Sequence, residues 1–397
     1  MNGTACRNEY KRVKNEECTL SILILCTTNY ISGTDRVVQN LAHGLAARGV
    51  GVKTVIPWES DMKAMIEQTL EWHRQADVVV TAAPEFSRRN QGWRNVKVLS
   101  KFIRGNHTGD IVNIHYAQNT SVSLTDILAI RLAGKKPVVM VHHPTAWEEM
   151  APRKYHTVKA ALRLSEAVIG TTGCMGALLK QAGVPERKIA TIPLGVTPPK
   201  TPISQAEARK RLGLPRDAFV ICSLSRLMAE KGIYELLEAF SHLPESSIPT
   251  YLVIGGEGPE RAAMEKKAGN HLGDRIRFLG RVENISEVYA CGDVFALPSH
   301  WEGFGLVYVE AAFHGLPSIG TNAGGTPYVI ENEETGILVP PHDINLLTLA
   351  LARLRDQKSF RVRLGSAALA RACTDFTEEK MVQRFHELFQ QVSRKTV

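Results

Sequence analysis

Cysteine is scarce and scattered in this 397-residue sequence, with seven residues at positions 6, 18, 26, 174, 222, 291 and 373. These residues form no Cys-x-x-Cys pair and no cluster with histidine. Such a pattern argues against a zinc site and against a disulfide framework. Because isolated cysteines are typical of an environment that keeps thiols reduced, we expect a cytoplasmic protein.

Long apolar segments are absent as well. The longest strand-like apolar run, Leu20 to Cys26, is far shorter than the roughly 18 residues of a membrane-spanning helix. Residues 1–19 are polar, carry charges of both signs and lack the apolar core of a signal peptide, so we expect a flexible leader there. A composition of 44% hydrophobic and 22% charged residues is that of an ordinary globular protein.

Acidic residues are outnumbered: 40 Asp and Glu against 48 Lys and Arg give a net charge of +8. Three partners fit this balance, namely nucleic acid, an anionic membrane surface and a phosphate-bearing substrate. The sequence has no nucleic-acid-binding signature, so we expect no nucleic-acid partner. Basic residues are dense from Arg88 to Arg104 and from Arg153 to Arg163. We interpret both stretches as solvated helix faces, with contact to an anionic membrane surface as the alternative.

Apolar strand-like runs alternate with helical patterns, which predicts a parallel α/β architecture. The chain exceeds one ordinary domain, so two domains of roughly 150 to 200 residues are expected. The richest Pro and Gly cluster, from 193 to 204, is the predicted linker. The expected order is a leader at 1–19, one domain at 20–197, a second at 198–376 and a terminal helix at 377–397. Predicted strands cover 21–26, 51–56, 77–81, 110–114, 137–141, 167–170, 189–192, 219–223, 251–255, 276–279, 294–297, 317–321 and 336–339.

The most informative segment runs from Pro298 to Glu310, with seven residues between Glu302 and Glu310. A buried strand precedes it, a Gly-x-Gly turn lies inside it, and a helix from Leu306 to Phe313 is predicted to follow. A helix N-terminus at such a turn directs backbone N–H groups and a positive dipole end toward one point, which suits a phosphate. Carboxylates accept paired hydroxyl groups, so the two glutamates are candidates to hold two sugar rings on either side of a diphosphate.

With this segment the chain resembles the retaining nucleotide-sugar glycosyltransferases of family 4, in which Glu-x(7)-Glu is a hallmark. Three further motifs match in the same order: Arg226-x(4)-Lys231, the turn from Gly255 to Pro259, and the loop from Asn322 to Pro327. The match is dense from about 204 to 372 and loose in the N-terminal half. The resemblance implies a GT-B fold, with two Rossmann-like domains facing across a cleft and a C-terminal helix that returns to the first domain.

The resemblance also assigns roles in donor binding. It implies that Arg226 and Lys231 bind the diphosphate and that Glu302 contacts hydroxyl groups of the donor sugar. Glu310 is expected to hold the nucleotide ribose. The nucleotide pocket is expected to include Gly256, the backbone at Val282, and the turn formed by Phe304, Gly305 and Leu306.

Two further assignments fall in the N-terminal half. Gly33 lies in a loop before a predicted helix, where the family often has two adjacent glycines and this chain has Ser32-Gly33. His142 follows the strand 137–141, where the family places a histidine that reaches the donor sugar; His143 is the alternative if the register slips by one. The chain also departs from the family at Tyr328, where a glutamate is usual.

We therefore expect a retaining glycosyltransferase without a metal ion or other cofactor. The expected donor is a UDP-sugar, with a GDP-sugar as the alternative, and the expected acceptor is a glycan or lipid-linked hydroxyl in cell-surface polysaccharide or glycolipid synthesis. A glycosidase-like pair of carboxylates is disfavoured, because a helical rise of about 1.5 Å per residue places the backbones of Glu302 and Glu310 about 12 Å apart, whereas double displacement needs roughly 5 Å. The rival functions are a nucleotide-sugar epimerase of the same fold and an inactive partner subunit that binds a nucleotide sugar.

Overall fold

The structure, a computed structural model, describes residues 20–26, 33–57, 79–83, 93–116, 122–143, 150–199 and 203–394. It divides into two compact units. Unit 1 comprises the chain up to Gly195 together with the segment from Glu378 onward, and unit 2 spans Val196–Thr377. The predicted domain boundaries lie within two residues of these. The predicted leader at 1–19 lies outside the described residues.

Unit 1 contains a parallel seven-stranded sheet in the order β3-β2-β1-β4-β5-β6-β7. The order reverses between β1 and β4, as in a doubly wound Rossmann-like sheet. Ile22 to Leu25 in the central strand are fully buried, which explains the continuous apolar run in the sequence. The strands are β1 Ser21–Cys26, β2 Gly51–Pro57, β3 Val79–Ala83, β4 Ile111–Tyr116, β5 Lys136–Val141, β6 Ala167–Gly170 and β7 Ile189–Thr191.

Helices of unit 1 connect these strands, as parallel pairing requires. They are α1 Gly33–Ala46, α2 Trp93–Asn106, α3 Leu124–Leu132, α4 Pro152–Leu164 and α5 Gly173–Gln181. Side-chain caps fix two of the helix starts, because Ser123 accepts a hydrogen bond from the Asp126 amide and Thr172 accepts one from the Met175 amide.

The helix α14, Glu378–Arg394, closes unit 1. Its buried stripe includes Phe385 and Phe389, and it packs against α1 at Gly44. A Cβ at Gly44 would lie 2.5 Å from Val382 Cγ2, so only glycine permits this close approach. Lys136 donates hydrogen bonds to two carbonyl groups in the last turn of α14, at 2.9 and 3.0 Å, where a cation also favours the helix dipole.

Unit 2 repeats the same architecture with a parallel six-stranded sheet in the order β10-β9-β8-β11-β12-β13. The strands are β8 Phe219–Leu224, β9 Thr250–Gly255, β10 Ile276–Gly280, β11 Val294–Ala296, β12 Ser318–Thr321 and β13 Gly336–Val339. The helices are α6 Gln205–Arg211, α7 Ile233–Ser241, α8 Arg261–Ala268, α9 Ile285–Cys291, α10 Leu306–Phe313, α11 Thr326–Val329, α12 Ile344–Asp356 and α13 Lys358–Asp375.

The predicted α/β class is confirmed, and every predicted strand is present with ends that differ by at most two residues. The first helix begins at Gly33, so Gly33 is a helical residue and the prediction that it lies in the loop before the helix is wrong. Within the part of the chain that the structure describes, no helix has the length and apolar character to cross a membrane.

Candidate functional site

The candidate site in unit 2 lies where the strand order reverses, between β8 and β11. Ligands of doubly wound sheets bind outside the carboxyl ends of the strands at this point. The loop after β8 leads through a single 3-10 turn, Ala229–Lys231, into α7. The loop after β11 leads through the Glu302 segment into α10. Two of the predicted motifs therefore meet at the same edge of the sheet.

Lys231 and Glu302 form an ion pair across these two loops. The Lys231 Nζ to Glu302 Oε1 distance is 2.7 Å, and the side chains are only 16% and 13% exposed. The Ser299 hydroxyl donates a second hydrogen bond to Oε1, at 2.8 Å. Among the described residues, Glu302 Oε2 has no hydrogen-bond partner. The carboxylate is thus held in place through one oxygen while the other remains available to a hydroxyl group.

Glycines bring the backbone close on both sides of this segment. A Cβ on Gly232, which has a φ of +69°, would lie 2.0 Å from the Pro298 carbonyl oxygen. A Cβ on Gly324, with a φ of +59°, would lie 2.3 Å from the Glu302 carbonyl oxygen. The Gly325 amide donates to that same oxygen at 2.7 Å. The Gly324-Gly325 loop therefore positions the backbone of Glu302, which gives the fourth sequence motif a structural role.

The helix α10 begins after Gly305, whose φ of +86° is favourable only for glycine. Its bounds, Leu306–Phe313, are those predicted from the sequence. The Phe304 side chain is 3% exposed and packs edge-on against Phe376 at 5.7 Å, so Phe304 can serve a ligand only through its backbone. Tyr328, at the position where the family usually has glutamate, also packs on Phe304, with 6.2 Å between ring centroids.

Glu310 projects from α10 and is 8% exposed. The Tyr289 hydroxyl donates a hydrogen bond to Glu310 Oε2 at 2.7 Å, and the Tyr289 ring stacks on His314 at 5.1 Å. A buried carboxylate requires such a donor. The sequence estimate of a 12 Å axial distance between Glu302 and Glu310 assumed helical rise over the whole interval. That assumption is wrong, because the helix begins only at Leu306.

The turn after β9 approaches the loop after β8 closely. Gly256 has a φ of +128°, and a Cβ there would lie 1.8 Å from the Ser225 carbonyl oxygen. A Cβ on the neighbouring Gly255 would lie 2.8 Å from Val282 Cγ2. The predicted pocket residues Gly256 and Val282 therefore lie close together, beside the start of the Arg226 loop.

Arg226 is exposed, and its guanidinium group forms no ion pair or hydrogen bond with the part of the chain that the structure describes. Only its carbonyl group is engaged, by the Met228 amide at 3.0 Å. A guanidinium group without an acidic partner is available for a phosphate, to which it can donate two parallel hydrogen bonds. Arg226 and Lys231 thus differ, because Lys231 is already paired with Glu302.

His142 lies in unit 1, directly after β5, and is 9% exposed. A chain of hydrogen bonds fixes its ring. Asn113 Nδ2 donates to the Val138 carbonyl at 3.1 Å, so the other amide atom, Asn113 Oδ1, faces His115. His115 Nε2 lies 2.6 Å from Asn113 Oδ1 and donates a hydrogen bond to it. His115 Nδ1 must then accept, and His142 Nε2 donates to it at 2.9 Å. The remaining nitrogen, His142 Nδ1, therefore carries a lone pair.

Burial makes both histidines neutral. It lowers the pKa of His142 to about 3 and, with the added influence of His142, lowers the pKa of His115 well below its usual value. A neutral His142 can accept a hydrogen bond but carries no positive charge. The alternative residue His143, next along the chain, is half-buried.

The sequence analysis missed the residues that hold the predicted ones, namely Asn113, His115, Tyr289 and Ser299. A signal for the first two was present, because Asn113 and His115 alternate within the otherwise apolar strand β4 and so share one face. Gly33 is exposed at the start of α1, and the preceding residues 27–32 lie outside the described residues.

Two sequence families match this chain. The family described as "Glycosyl transferases group 1" matches residues 204–371, and "Glycosyltransferase Family 4" matches residues 31–199. The first match covers most of unit 2, and the second covers most of unit 1.

Curated relatives agree with these matches. An Escherichia coli protein named UDP-Gal:alpha-D-GlcNAc-diphosphoundecaprenol alpha-1,3-galactosyltransferase is 28% identical over 293 residues, which is 70% of this chain and 75% of that protein. The N-acetyl-alpha-D-glucosaminyl L-malate synthase of Bacillus anthracis is 30% identical over 190 residues, or 47% of this chain. That alignment spans about half, 49%, of the length of the Bacillus protein.

Solved structures show the same fold. HepE from Anabaena, in complex with UDP, has a TM-score of 0.78 at 21% identity and covers 94% of this chain and 100% of its own. A glycosyltransferase from Rickettsia africae has a TM-score of 0.80 at 18% identity, with 95% and 99% coverage. The predicted GT-B fold is thereby confirmed. The four ordered motifs, the fold and both family matches lead to one conclusion: the chain belongs to the group 1 glycosyltransferases of glycosyltransferase family 4.

Proposed function

We propose that this chain transfers a sugar from a nucleotide-diphosphate donor to a hydroxyl group of a glycan or lipid-linked acceptor, with retention of configuration and without a metal ion. The observation that carries the proposal is the geometry around Glu302. An anchored carboxylate with one available oxygen, a paired lysine and a helix N-terminus lie at the switch point of the unit 2 sheet.

In this proposal the departing diphosphate is stabilised by fixed positive charge. Arg226 supplies a bidentate grip, Lys231 supplies a point charge, and the first amides of α10 add the helix dipole. Fixed donors of this kind are effective because they need no reorganisation when charge develops on the leaving group. They also remove the need for a bound cation at the diphosphate.

Glu302 binds the donor sugar in this scheme rather than attacking it. Its Oε1 is held by Lys231 and Ser299, and Oε2 is placed to accept a hydroxyl group of the sugar. Glu310, held by Tyr289, accepts the paired hydroxyl groups of the ribose. Without an assigned nucleophile, the diphosphate oxygen takes the acceptor proton and the acceptor attacks on the same face of the sugar.

His142 acts as a hydrogen-bond acceptor in this scheme. Its ring is neutral and its Nδ1 carries a lone pair, so it can orient a sugar hydroxyl group through that nitrogen. It cannot act as a general acid near neutral pH, since its pKa is about 3.

The proposed donor is a UDP-sugar, with a GDP-sugar as the alternative. The Anabaena neighbour is described in complex with UDP and with UDP-glucose, and the Escherichia coli relative is named for UDP-Gal. The name of that relative also includes a diphosphoundecaprenol acceptor, which supports a lipid-linked acceptor for this chain.

A lipid-linked acceptor places the enzyme at the cytoplasmic face of a membrane, and α4 offers a suitable surface. Arg153, Lys154 and Arg163 are exposed on α4, while Lys159 is half-buried with its ammonium group 5.2 Å from the Tyr155 ring centroid. We call these four cations the α4 basic face. Each cation near an anionic leaflet contributes about 1 kcal/mol, so this face gives loose and reversible attachment.

The proposal is tested by incubating the protein with a panel of UDP-sugars and GDP-sugars and a polyprenol-diphosphate-sugar acceptor. We expect acceptor-dependent release of nucleoside diphosphate with one donor, and a product with the anomeric configuration of that donor by NMR. Conversion of the sugar without release of diphosphate would support an epimerase instead. Donor binding without turnover on every acceptor would support an inactive subunit, and an inverted product would refute retention.

A further inference from the structure

Three side chains with metal-ligating atoms converge in unit 2, outside the contacts assigned above to the donor. They are Glu235 on α7, His300 in the loop after β11, and His342 in the loop between β13 and α12. One ligand atom from each lies within 4.8 Å of the other two. Glu235 Oε1 accepts hydrogen bonds from His300 Nε2 at 2.8 Å and from His342 Nδ1 at 2.9 Å.

The cluster joins three separate segments of the chain, with Glu235 at its buried centre. The Glu235 side chain is 14% exposed, His300 is 30% exposed and His342 is 62% exposed. One side of the cluster therefore faces solvent, where water molecules can complete a coordination shell.

We propose that Glu235, His300 and His342 form a binding site for a divalent zinc-class ion. Two imidazoles and one carboxylate are a ligand set that zinc accepts, with water in the fourth position. Magnesium is disfavoured, because it requires oxygen ligands in near-ideal octahedral geometry. The ligand set therefore selects a borderline transition metal over a hard cation.

The distances between the ligand atoms suit this ion after a small adjustment. Zinc–ligand bonds of roughly 2.0–2.2 Å in a tetrahedral shell place neighbouring ligand atoms about 3.4 Å apart. The two hydrogen bonds to Glu235 Oε1, at 2.8 and 2.9 Å, must lengthen by about half an ångström to admit the metal. The exposed His342 side chain can supply much of this movement.

The site is separate from the transfer chemistry but close to it in sequence. The His300 amide donates to the Glu230 carbonyl at 2.9 Å, so the cluster adjoins the segments that carry Lys231 and Glu302. Zinc would cross-link α7 to both loops and stabilise unit 2, and no step of the proposed transfer runs through it. The sequence analysis argued against a zinc site from the pattern of the cysteines, whereas the proposed site uses only histidine and glutamate ligands.

The test is a calorimetric titration of the full-length, chelator-treated protein with zinc chloride at pH 7.5. We expect one equivalent of zinc to bind. His342→Asn removes an exposed ligand, and asparagine tolerates the left-handed φ of 64° found there. Glu235→Gln removes the central charge and preserves the side-chain shape. Each variant should weaken binding by at least about tenfold, since loss of even an outer partner costs that much.

Two control variants isolate the cluster from other ligands. His242→Asn changes an exposed histidine elsewhere in unit 2, and Cys174→Ser removes an exposed thiol; both should bind zinc as the wild type does. Thermal unfolding serves as a second readout, because zinc should raise the midpoint of the wild type and not that of His342→Asn. The proposal is overturned if the wild type binds no stoichiometric zinc, or if His342→Asn and Glu235→Gln bind it with unchanged affinity.

Discussion

The Lys231–Glu302 pair allows a prediction that separates a functional role from a structural one. The perturbation is Lys231→Met, which removes the charge and keeps most of the stem. At an effective dielectric constant of 20, opposite charges about 3 Å apart attract by about 5 kcal/mol, much of which is offset by desolvation. Because Glu302 keeps its hydrogen bond from Ser299, we expect the variant to lose about 2 kcal/mol of unfolding free energy.

The effect on turnover should be larger and should have a different origin. Loss of one fixed charge at a developing diphosphate typically reduces turnover by about 10²- to 10³-fold. The double variant Lys231→Met/Glu302→Gln leaves no unpaired carboxylate, so it should recover most of the stability. It should not recover turnover, since the charge that serves the diphosphate is still missing.

A matched control is available in the same unit. Lys267 pairs with Glu238 at the same 2.7 Å, but both side chains are 37% exposed. Lys267→Met should change stability by less than about 0.5 kcal/mol and leave turnover unchanged. Urea unfolding and initial rates of nucleoside diphosphate release measure the two quantities. The reasoning is refuted if the double variant regains turnover to within about threefold of the wild type.

Four further predictions concern other parts of the molecule. His142 stays neutral in the folded protein, where its pKa is about 3, and becomes protonated near pH 6.5 in the unfolded chain. The free energy of unfolding should therefore fall as the pH drops below 6.5. Between pH 7.5 and pH 5, His142→Gln should lose about 2 kcal/mol less of this free energy than the wild type does, as measured by urea unfolding. Gly256→Ala should lower the free energy of unfolding by about 3 kcal/mol, because the added Cβ would lie 1.8 Å from a carbonyl oxygen. The control Gly273→Ala should lower it by only about 1 kcal/mol, because a Cβ there meets open space and only the positive φ is strained. Equal losses for the two variants would contradict the predicted clash. Transfer should continue in EDTA, and complete loss that manganese restores would overturn the metal-free mechanism. The protein should sediment with anionic vesicles at low salt and be released at high salt. If a variant with reversed charges on the α4 basic face still sediments with these vesicles, the membrane contact lies elsewhere.

Much of the fold was predictable because its signals are local. Parallel strands are buried on both faces, so each appears in the sequence as a short apolar run between breakers. The helix Leu306–Phe313 was predicted at its observed bounds, because a glycine lies near each of its ends in the sequence. In the structure these glycines, Gly305 and Gly315, adopt left-handed φ angles of +86° and +71°. Element ends were less certain where a strand continues into a polar residue, as β4 does through His115 and Tyr116.

The surroundings of the site residues were less predictable, because they depend on which strands become neighbours. Tyr289 lies 21 residues from Glu310 along the chain, and nothing in either local pattern connects them. The cluster of Glu235, His300 and His342 joins residues 65 and 107 positions apart, so it emerges only when α7 and two loops are brought together. Sequence motifs identified the carboxylates, and the fold revealed what holds them.

The most direct test of the central claim is whether unit 2 grips a diphosphate at Arg226 and Lys231. Calorimetric titration of the wild type with UDP and with uridine measures the contribution of the two phosphates. A charged hydrogen bond contributes about 1.5–3 kcal/mol, so UDP should bind at least about tenfold more tightly than uridine, and Lys231→Met should weaken the binding of UDP while leaving that of uridine unchanged. The same comparison with GDP and guanosine covers the alternative donor. The claim is contradicted if neither diphosphate binds, or if each nucleoside binds as tightly as its diphosphate.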